Sequence, residues 1–511
     1  MRRLFSGGRV RTMGEPAAGD WLLVDDGIVS AVGETGDEPE ADQVIDLHGG
    51  TLLPSFCDAH VHLPATGLQE SALDFTGVSS VKEIVEAFAR RAEAGGLLFG
   101  ANFEDPLDRP MTRHELDAAV GNRPAVLARA DLHSCVISSA LLEEISFADA
   151  EGVDRDEDGS PTGYLRERAA NGVWRWVDES MSAGAMSATI EAGIRRAYSR
   201  GVTEVHEMHV VECRGWKTLD VLVDVVNDHA LSVVPYVASE DVDRVAERGF
   251  GCMGGDLFLD GSFGSHTAWL SEPYTSSPPA GCPDTGIAYR SDDLLLEVFT
   301  KAQERGLQTG VHAIGDAAIE QAIRIWEKVA GEHGIEAVRR IGHRIEHFEC
   351  ATDDHLRRAA QLGLRASVQP AFDAVWGGKD GLYARRIGPE RALRMNRFAS
   401  MLDAGLVVGA GSDSTVTPLH PFLQMAALRD HHVEAERLSP REALAAHVTG
   451  ARALAGTDED AGRLVPGARA DLVLVDRDPV AVATEELRSS QVLGTWIGGH
   501  RVWPIEEAEV Q

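Results

Sequence analysis

Apolar residues recur along the middle of this chain in short runs that alternate with longer amphipathic segments. The runs cover residues 51–56, 202–206, 231–238, 256–259, 308–312, 344–348, 365–369 and 406–411. Most are followed by a helical pattern, as where Ile319, Ile323 and Trp326 fall on one helix face. Because strands that alternate with helices form parallel sheets, and eight such strands close a barrel, the pattern predicts an α/β protein with a (β/α)8 TIM barrel.

The two ends of the chain follow a different pattern. Residues 1–50 and 458–511 contain short β-like runs between turn residues, so we expect one small β-sandwich domain built from both termini. The barrel then comprises residues 51–63 and 186–457. Residues 64–185 are far more than a crossover between two strands needs, and they predict an inserted subdomain after the first barrel strand.

Composition narrows the class of protein. The chain has 511 residues, of which 44% are apolar and 25% charged, as is typical of a soluble globular enzyme. Its net charge of −33 would repel a phosphate backbone, so nucleic acid is not an expected partner. No membrane-spanning run, signal segment or C-x-x-C pair is evident. We therefore expect a cytoplasmic enzyme with a small-molecule substrate and no membrane partner.

The strongest local motif is Asp58-Ala-His60-Val-His62, after the first run. At strand spacing both histidines point to one side, which lets them reach one cation such as Zn²⁺. His312, His347 and Asp413 stand at the ends of the fifth, sixth and eighth runs. In a parallel barrel the carboxyl ends of the strands open on one face, where active sites lie. The sequence therefore predicts a metal site there.

With these motifs the chain resembles the amidohydrolase superfamily, in particular the family-3 branch that includes N-substituted formamide deformylases. The resemblance extends to residues 131–134, 165–167, 260–265 and 462–472. It implies that His60 and His62 with Asp413 hold one divalent metal, and that His312 and His347 hold a second. Zn²⁺ is the expected metal, with Mn²⁺ and Fe²⁺ as alternatives.

The resemblance also implies a reaction. Water activated by the metal would attack an amide-type, non-peptide C–N bond of a small molecule, with Asp413 as general base and then general acid. A deaminase or cyclic-amide hydrolase of the same superfamily is the alternative. A non-catalytic binding relative is a further one, although the four histidines retained beside Asp413 favour an enzyme. A homodimer is expected only by analogy with relatives.

One position departs from the family pattern. Many superfamily members bridge two metals with a carboxylated lysine that lies four residues before the aspartate of the Asp-Gly-Ser motif. Here that residue is Asp256, and none of the five lysines falls on a predicted barrel strand. Asp256 then bridges after a backbone shift, binds one metal, or only lines the site. One and two metals per chain both stay open.

Three further histidines are candidate substrate-binding or supporting residues. His206 ends the second run, near the mouth of the barrel, with barrel packing as the alternative. His133 either roofs the pocket from the inserted region or serves only the structure of that region. His266 follows the Asp-Gly-Ser motif and, like His133 or a metal, is a candidate to stabilise an oxyanion. Residues 273–284 predict either a lid or a rigid connector.

Overall fold

A computed structural model of the chain describes residues 1–94, 98–104, 106–145, 152–278, 282–456 and 460–504. Within these ranges eight parallel strands, here called the first to eighth barrel strands, form one nearly closed sheet. They are Phe56–Val61, Val202–Val210, Ser232–Ala238, Cys252–Met253, Gln308–Ala313, Arg344–His347, Arg365–Val368 and Val407–Ala410. A bridge between Val61 and Ser414 links the eighth strand back to the first. The predicted (β/α)8 barrel is therefore confirmed.

Helices cover the outside of the barrel. The principal ones are Ala183–Ser199, Val211–Asn227, Val242–Glu247, Asp292–Arg305, Asp316–His333, Ile335–Ile341, Asp353–Leu362, Pro370–Trp376, Leu382–Ile387, Phe398–Asp403, Pro421–Arg429 and Pro440–Ala445. In one of them, the Ser291 side chain accepts a hydrogen bond from the Leu294 N–H at the start, and Gly306 ends the helix in the left-handed conformation. Among the described residues, no helix is both long enough and apolar enough to cross a membrane.

The largest hydrophobic core lies between the barrel strands and these helices. Phe299 and Trp326, from neighbouring helices, are fully buried and stack with ring centroids 4.4 Å apart. His343 stacks on the same tryptophan at 3.7 Å. Burial of such large rings supplies much of the free energy that holds the helices to the barrel.

Strands from both ends of the chain pack as two sheets. One sheet contains Arg2–Ser6, Trp21–Asp25, Ile28–Gly33 and Gln43–Asp46, and the other contains Arg9–Arg11, Ala18–Gly19, Thr51–Pro54, Leu472–Val475, Val492–Ile497 and His500–Trp503. Phe5 of the first sheet packs against Trp496 of the second, with ring centroids 5.4 Å apart. The β-sandwich predicted from both termini is therefore present.

The inserted region forms its own sheet and its own small cores. Its strands are Leu73–Asp74, Phe99–Phe103, Val126–Arg129, Ser134–Ile137, Val153–Arg155 and Pro161–Arg166. Its helices are Leu63–Gln69, Val81–Ala94, Arg113–Val120, Ser139–Glu144 and Arg168–Ser180. Two clusters of buried apolar side chains lie within this region. The residue limits given above for the three domains stay predictions.

The predicted start of the first barrel strand was wrong. The run over residues 51–56 is divided: Thr51–Pro54 pairs with Leu472–Val475 in a terminal sheet, and the barrel strand is Phe56–Val61. The run is apolar and buried throughout, so periodicity alone does not show that the chain leaves one sheet and enters another. As a consequence, His60 lies on the first barrel strand rather than after it.

Two other barrel strands also differ from the prediction. The second continues to Val210, four residues beyond His206. The fourth, predicted over residues 256–259, is reduced to Cys252–Met253. Gly254 and Gly255 follow it with φ of 76° and 71°, a conformation that favours glycine. The chain therefore bends out of the strand direction just before Asp256.

Candidate metal centre

The four histidines and two aspartates predicted for the metal site converge at one end of the barrel. His60 Nε2 lies 3.5 Å from an Asp256 oxygen and 3.6 Å from an Asp413 oxygen. His62 Nε2 lies 3.1 Å and 3.3 Å from the same two carboxylates. All of these side chains are buried except that of His62, which is 15% exposed. These four residues form the first half of the site.

The second half is formed by the fifth and sixth barrel strands. His312 Nδ1 lies 3.7 Å from Asp256 Oδ1, and His347 Nε2 lies 3.8 Å from that oxygen. Asp256 thus contacts all four histidines. The backbone of both His347 (φ 69°) and Asp413 (φ 50°) is left-handed, which is strained for residues other than glycine and is typical of functional sites.

Acceptors behind three of the imidazoles fix their orientation. His60 Nδ1 donates to Glu346 Oε2 at 2.9 Å, and His347 Nδ1 donates to Gln369 Oε1 at 2.7 Å. His62 Nδ1 donates to the Met208 carbonyl at 3.0 Å. Because each Nδ1 faces an acceptor, the neutral form of each ring would present its Nε2 lone pair to a cation at the centre of the site. This is the arrangement of metal-binding histidines.

The atoms that face the centre have no hydrogen-bond partner among the described residues. They are His60 Nε2, Asp256 Oδ1, His312 Nδ1, His347 Nε2 and Asp413 Oδ1. An unpaired buried polar atom costs about 1–3 kcal/mol, and a buried charge costs more. Divalent cations would satisfy all five, and imidazole nitrogen with carboxylate oxygen is a donor set that Zn²⁺ accepts. The residues present therefore fit a metal centre.

Glu346 is a residue of the candidate site that the sequence pattern did not reveal. It is fully buried and accepts hydrogen bonds from Arg344 at 2.6 and 2.8 Å as well as from His60. Burial raises the pKa of Glu346, but the Arg344 guanidinium lowers it further, to about 2. Alternation along a strand predicts that Glu346 and His347 point apart. The left-handed backbone at His347 instead lets both contribute to the site.

His206 lies inside the barrel and not at its mouth. Arg344 donates to His206 Nδ1 at 2.9 Å, and His206 Nε2 lies 3.8 Å from the Cys57 sulfur and 3.6 Å from Glu204. Because an arginine only donates, the proton of the neutral imidazole lies on Nε2 and points at Cys57 and Glu204. These contacts are those of a buried polar network. Within the described part of the chain, hydrogen bonds connect His206 to the metal centre through Arg344 and Glu346.

A cavity of about 570 Å³ opens above the metal centre, with His62, His312 and Asp413 at its floor. His133 and Glu167, from the inserted region, lie in its wall. His133 Nδ1 donates to Glu167 Oε2 at 3.0 Å, and the His133 ring centroid is 6.0 Å from that of His312. Burial lowers the pKa of His133, but the Glu167 carboxylate raises it more, to about 9. The inserted region thus brings a cationic donor to the site.

His266 lies outside that wall. Its Nε2 is 2.9 Å from Ser276 Oγ, its ring packs on Tyr274, and it is not among the described residues that line the cavity. Tyr274 and Thr275 also bond through backbone N–H groups to Asp284 and Arg386. Residues 279–281 of the predicted lid or connector lie outside the described residues, so that choice stays a prediction.

Comparison with known proteins agrees with this geometry. The model of the amidohydrolase family Amidohydro_3 matches residues 43–503. The chain is 26% identical to the putative amidohydrolase YtcJ of Bacillus subtilis, over 98% of this chain and 99% of that protein. It is 27% identical to the N-substituted formamide deformylase of Arthrobacter pascens, over 94% of each.

A solved structure shares the fold. An uncharacterized metal-dependent hydrolase from Pyrococcus furiosus matches with a TM-score of 0.74 and 28% identity, over 94% of this chain and 100% of that one. The family match spans the barrel and half of the strands in the terminal sheets, so it is not confined to one motif. The chain belongs to the amidohydrolase family and has the fold of its metal-dependent hydrolases.

Proposed function

We propose that this protein hydrolyses an amide-type, non-peptide C–N bond of a small molecule with the help of one or two divalent cations, Zn²⁺ in the first instance. The observation that carries the proposal is the convergence of unpaired, buried imidazole nitrogens and carboxylate oxygens on the floor of a cavity. The similarity to a formamide deformylase supports an acyl or formyl group as the part that reacts.

The residues divide into two sets of ligands. His60 and His62 with Asp413 would hold one cation, and His312 with His347 would hold a second. A divalent cation, when bound in such a site, lowers the pKa of water from about 16 toward about 7 and polarises a carbonyl oxygen. The protein supplies the positions of the ligands, the exclusion of bulk water and the transfer of the proton.

Asp413 is the proposed general base and acid. It lines the cavity, and although burial raises its pKa, the nearby His60 and His62 lower it more, so the carboxylate is ionised at neutral pH. It would take a proton from the attacking water and deliver that proton to the departing nitrogen. The amine then leaves as a neutral molecule rather than as an anion.

His133 is the proposed donor to the carbonyl oxygen. Its Nδ1 is held by Glu167, so the other ring nitrogen is free to donate a hydrogen bond within the cavity. Oxygen gains negative charge as water attacks, and a fixed cationic donor stabilises that charge. His266, the other candidate from the sequence, bonds to Ser276 instead.

Apolar and charged residues both line the cavity, which favours an N-acyl or N-formyl compound with an apolar substituent. Leu68, Phe99 and Trp174 form apolar parts of the wall. The volume of about 570 Å³ lies within the range of small-molecule sites.

The test is turnover of a panel of N-formyl and N-acyl amines by protein loaded with Zn²⁺, Mn²⁺ or Co²⁺, with released amine measured by mass spectrometry. We expect release of amine from at least one compound, and a loss of about 10²–10⁴-fold in kcat for Asp413→Asn. The matched control is Asp380→Asn, because Asp380 is exposed. Metal-loaded protein that releases no amine from the panel would contradict the proposal. Release of ammonia from amino-heterocycles, or opening of a lactam or imide, would identify the related reactions instead.

A further inference from the structure

We propose that Asp256 bridges two divalent cations in this protein, in the place where many superfamily members carry a carboxylated lysine. The inference deepens the proposed function and rests on its metal centre. It concerns the one position of the site at which the sequence departs from the family pattern.

The carboxylate of Asp256 contacts both sets of ligands. Its Oδ1 lies 3.5 Å from His60 Nε2, 3.7 Å from His312 Nδ1 and 3.8 Å from His347 Nε2. Its Oδ2 lies 3.1 Å from His62 Nε2. Oδ1 therefore faces both histidine pairs and Oδ2 faces His62 of the first pair, so the carboxylate lies between the two pairs. No other carboxylate among the described residues contacts all four histidines.

The backbone compensates for the short side chain. The side chain of an aspartate is much shorter than that of a carboxylated lysine. At Gly254 and Gly255 the chain runs close to neighbouring barrel strands: a Cβ on Gly254 would lie 2.0 Å from the Gly310 carbonyl oxygen, and one on Gly255 would lie 2.3 Å from the Met208 sulfur. Side chains at either position would prevent this path. The bend therefore gives Asp256 the reach that the residue type lacks.

The two simpler roles of Asp256 leave buried groups unpaired. If it only lined the site, its Oδ1 would remain a buried carboxylate oxygen without a hydrogen-bond partner among the described residues. If it bound a single cation with one histidine pair, unpaired nitrogen atoms would remain on the other pair. Two cations with Asp256 between them satisfy both halves of the site.

The experiment measures metal content per chain by inductively coupled plasma mass spectrometry, on protein purified without chelator and reloaded with Zn²⁺. We expect about two Zn²⁺ per wild-type chain and at most about one in Asp256→Asn, which keeps the shape but removes the charge. Asp380→Asn, at an exposed position, is the matched control and retains two. Circular dichroism verifies that each variant is folded.

A second readout requires only the wild type. Protein loaded with Mn²⁺ should give an electron paramagnetic resonance spectrum of two exchange-coupled ions, because one carboxylate joins them. One metal per wild-type chain, two metals retained in Asp256→Asn, or uncoupled Mn²⁺ signals would each overturn the inference. Two coupled metals without turnover of any substrate would contradict the proposed function and leave the bridge intact. Turnover by protein that holds a single metal would contradict the bridge and leave the proposed function intact.

Discussion

At the scale of single residues, the buried Arg344–Glu346 ion pair is the support of His60. We expect Glu346→Gln to weaken Zn²⁺ affinity about 10–100-fold, because the hydrogen bond that orients His60 loses its charge. The same change leaves the Arg344 guanidinium buried without its counter-ion, which should lower the free energy of unfolding by about 3–5 kcal/mol. Competition with a chelating dye and urea denaturation measure the two effects.

A surface ion pair provides the control for this prediction. Glu327 pairs with Arg358 at 2.7 Å near the surface, so Glu327→Gln should cost less than about 1 kcal/mol and leave Zn²⁺ affinity unchanged. Equal effects of the two substitutions would mean that the Glu346 carboxylate does not support His60.

The role proposed for His133 gives a kinetic prediction. His133→Gln should lower kcat about 10²–10³-fold with little change in KM, because the hydrogen bond strengthens only as charge develops on the carbonyl oxygen. His266→Gln should leave kcat unchanged, since His266 bonds to Ser276 outside the cavity. Steady-state kinetics on the best substrate of the panel give kcat and KM for the wild type and both variants. A rise in KM alone would assign His133 to substrate binding.

The sequence predicted which candidate metal ligands come together better than it predicted the residues that orient them. His60, His62, His312, His347 and Asp413 could be found because metal ligands are restricted to a few residue types and stand at strand ends. Glu346 and Gln369 have no such signal. A buried acceptor behind an imidazole is chosen by three-dimensional distance, and the backbone carbonyl of Met208, which serves His62, has no sequence signature at all.

At the scale of elements, the bend at Gly254 and Gly255 determines where Asp256 lies. We expect Gly255→Ala to lower the free energy of unfolding by about 2–4 kcal/mol and to reduce metal content. The added Cβ has an unfavourable φ of 71° and would meet Met208 Sδ at 2.3 Å and Tyr236 Cβ at 2.9 Å. Urea denaturation and metal analysis test both effects.

Gly249→Ala separates the cost of the positive φ from the cost of the steric contacts. Gly249 also has a positive φ, of 82°, but a Cβ there would meet no atom within 4 Å. Gly249→Ala should therefore lower the free energy of unfolding by about 1–2 kcal/mol, the cost of the unfavourable φ alone, and leave the metal content unchanged. If Gly255→Ala costs no more than Gly249→Ala, the close approach of the chain to the barrel interior is not what requires glycine.

Elements were predicted well where a pattern was long and poorly where it was short. The helix Asp316–His333 has five turns of regular spacing, and its existence followed from the sequence. The fourth barrel strand has two residues, Cys252–Met253, which is too short for any periodicity. The run over 256–259 resembles a strand in the sequence because Leu257 and Leu259 are buried in the main hydrophobic core.

At the scale of the whole molecule, buried neutral histidines connect stability to pH. Burial lowers the pKa of His343 to about 3, whereas the unfolded chain binds a proton near pH 6.5. Its contribution to stability is therefore complete above pH 6.5 and is lost as the pH falls toward 3. Between pH 7.0 and 5.5 we expect the free energy of unfolding of the wild type to fall about 1 kcal/mol more than that of His343→Gln. Urea denaturation at both pH values, on metal-loaded protein, gives this difference.

Comparison of the wild type with His343→Gln removes the contributions of other titrating groups, because those groups are common to both proteins. His500→Gln is the matched control, since His500 is exposed on a terminal strand. It should follow the pH dependence of the wild type. Parallel curves for His343→Gln and the wild type would mean that His343 is protonated alike in the folded and unfolded states.

The domain architecture could be predicted from the sequence, but the contacts between the inserted region and the barrel could not. Eight apolar runs gave the barrel, and the β-like ends gave the sandwich. The approach of His133 to His312 joins residues about 180 positions apart through a region with its own sheet, and no spacing in the chain indicates it. Pocket walls formed by insertions depend on packing between separate cores, which composition and periodicity do not encode.

The bend before Asp256 has a consequence for how the metal centre is made. A carboxylated lysine exists only after its amine has captured carbon dioxide, and the adduct is reversible. The carboxylate of Asp256 is encoded in the gene and is present as soon as the chain folds. With Asp256 as the bridge that we propose, assembly of this centre needs no carbon dioxide, and metal loading should proceed equally well in buffer stripped of bicarbonate.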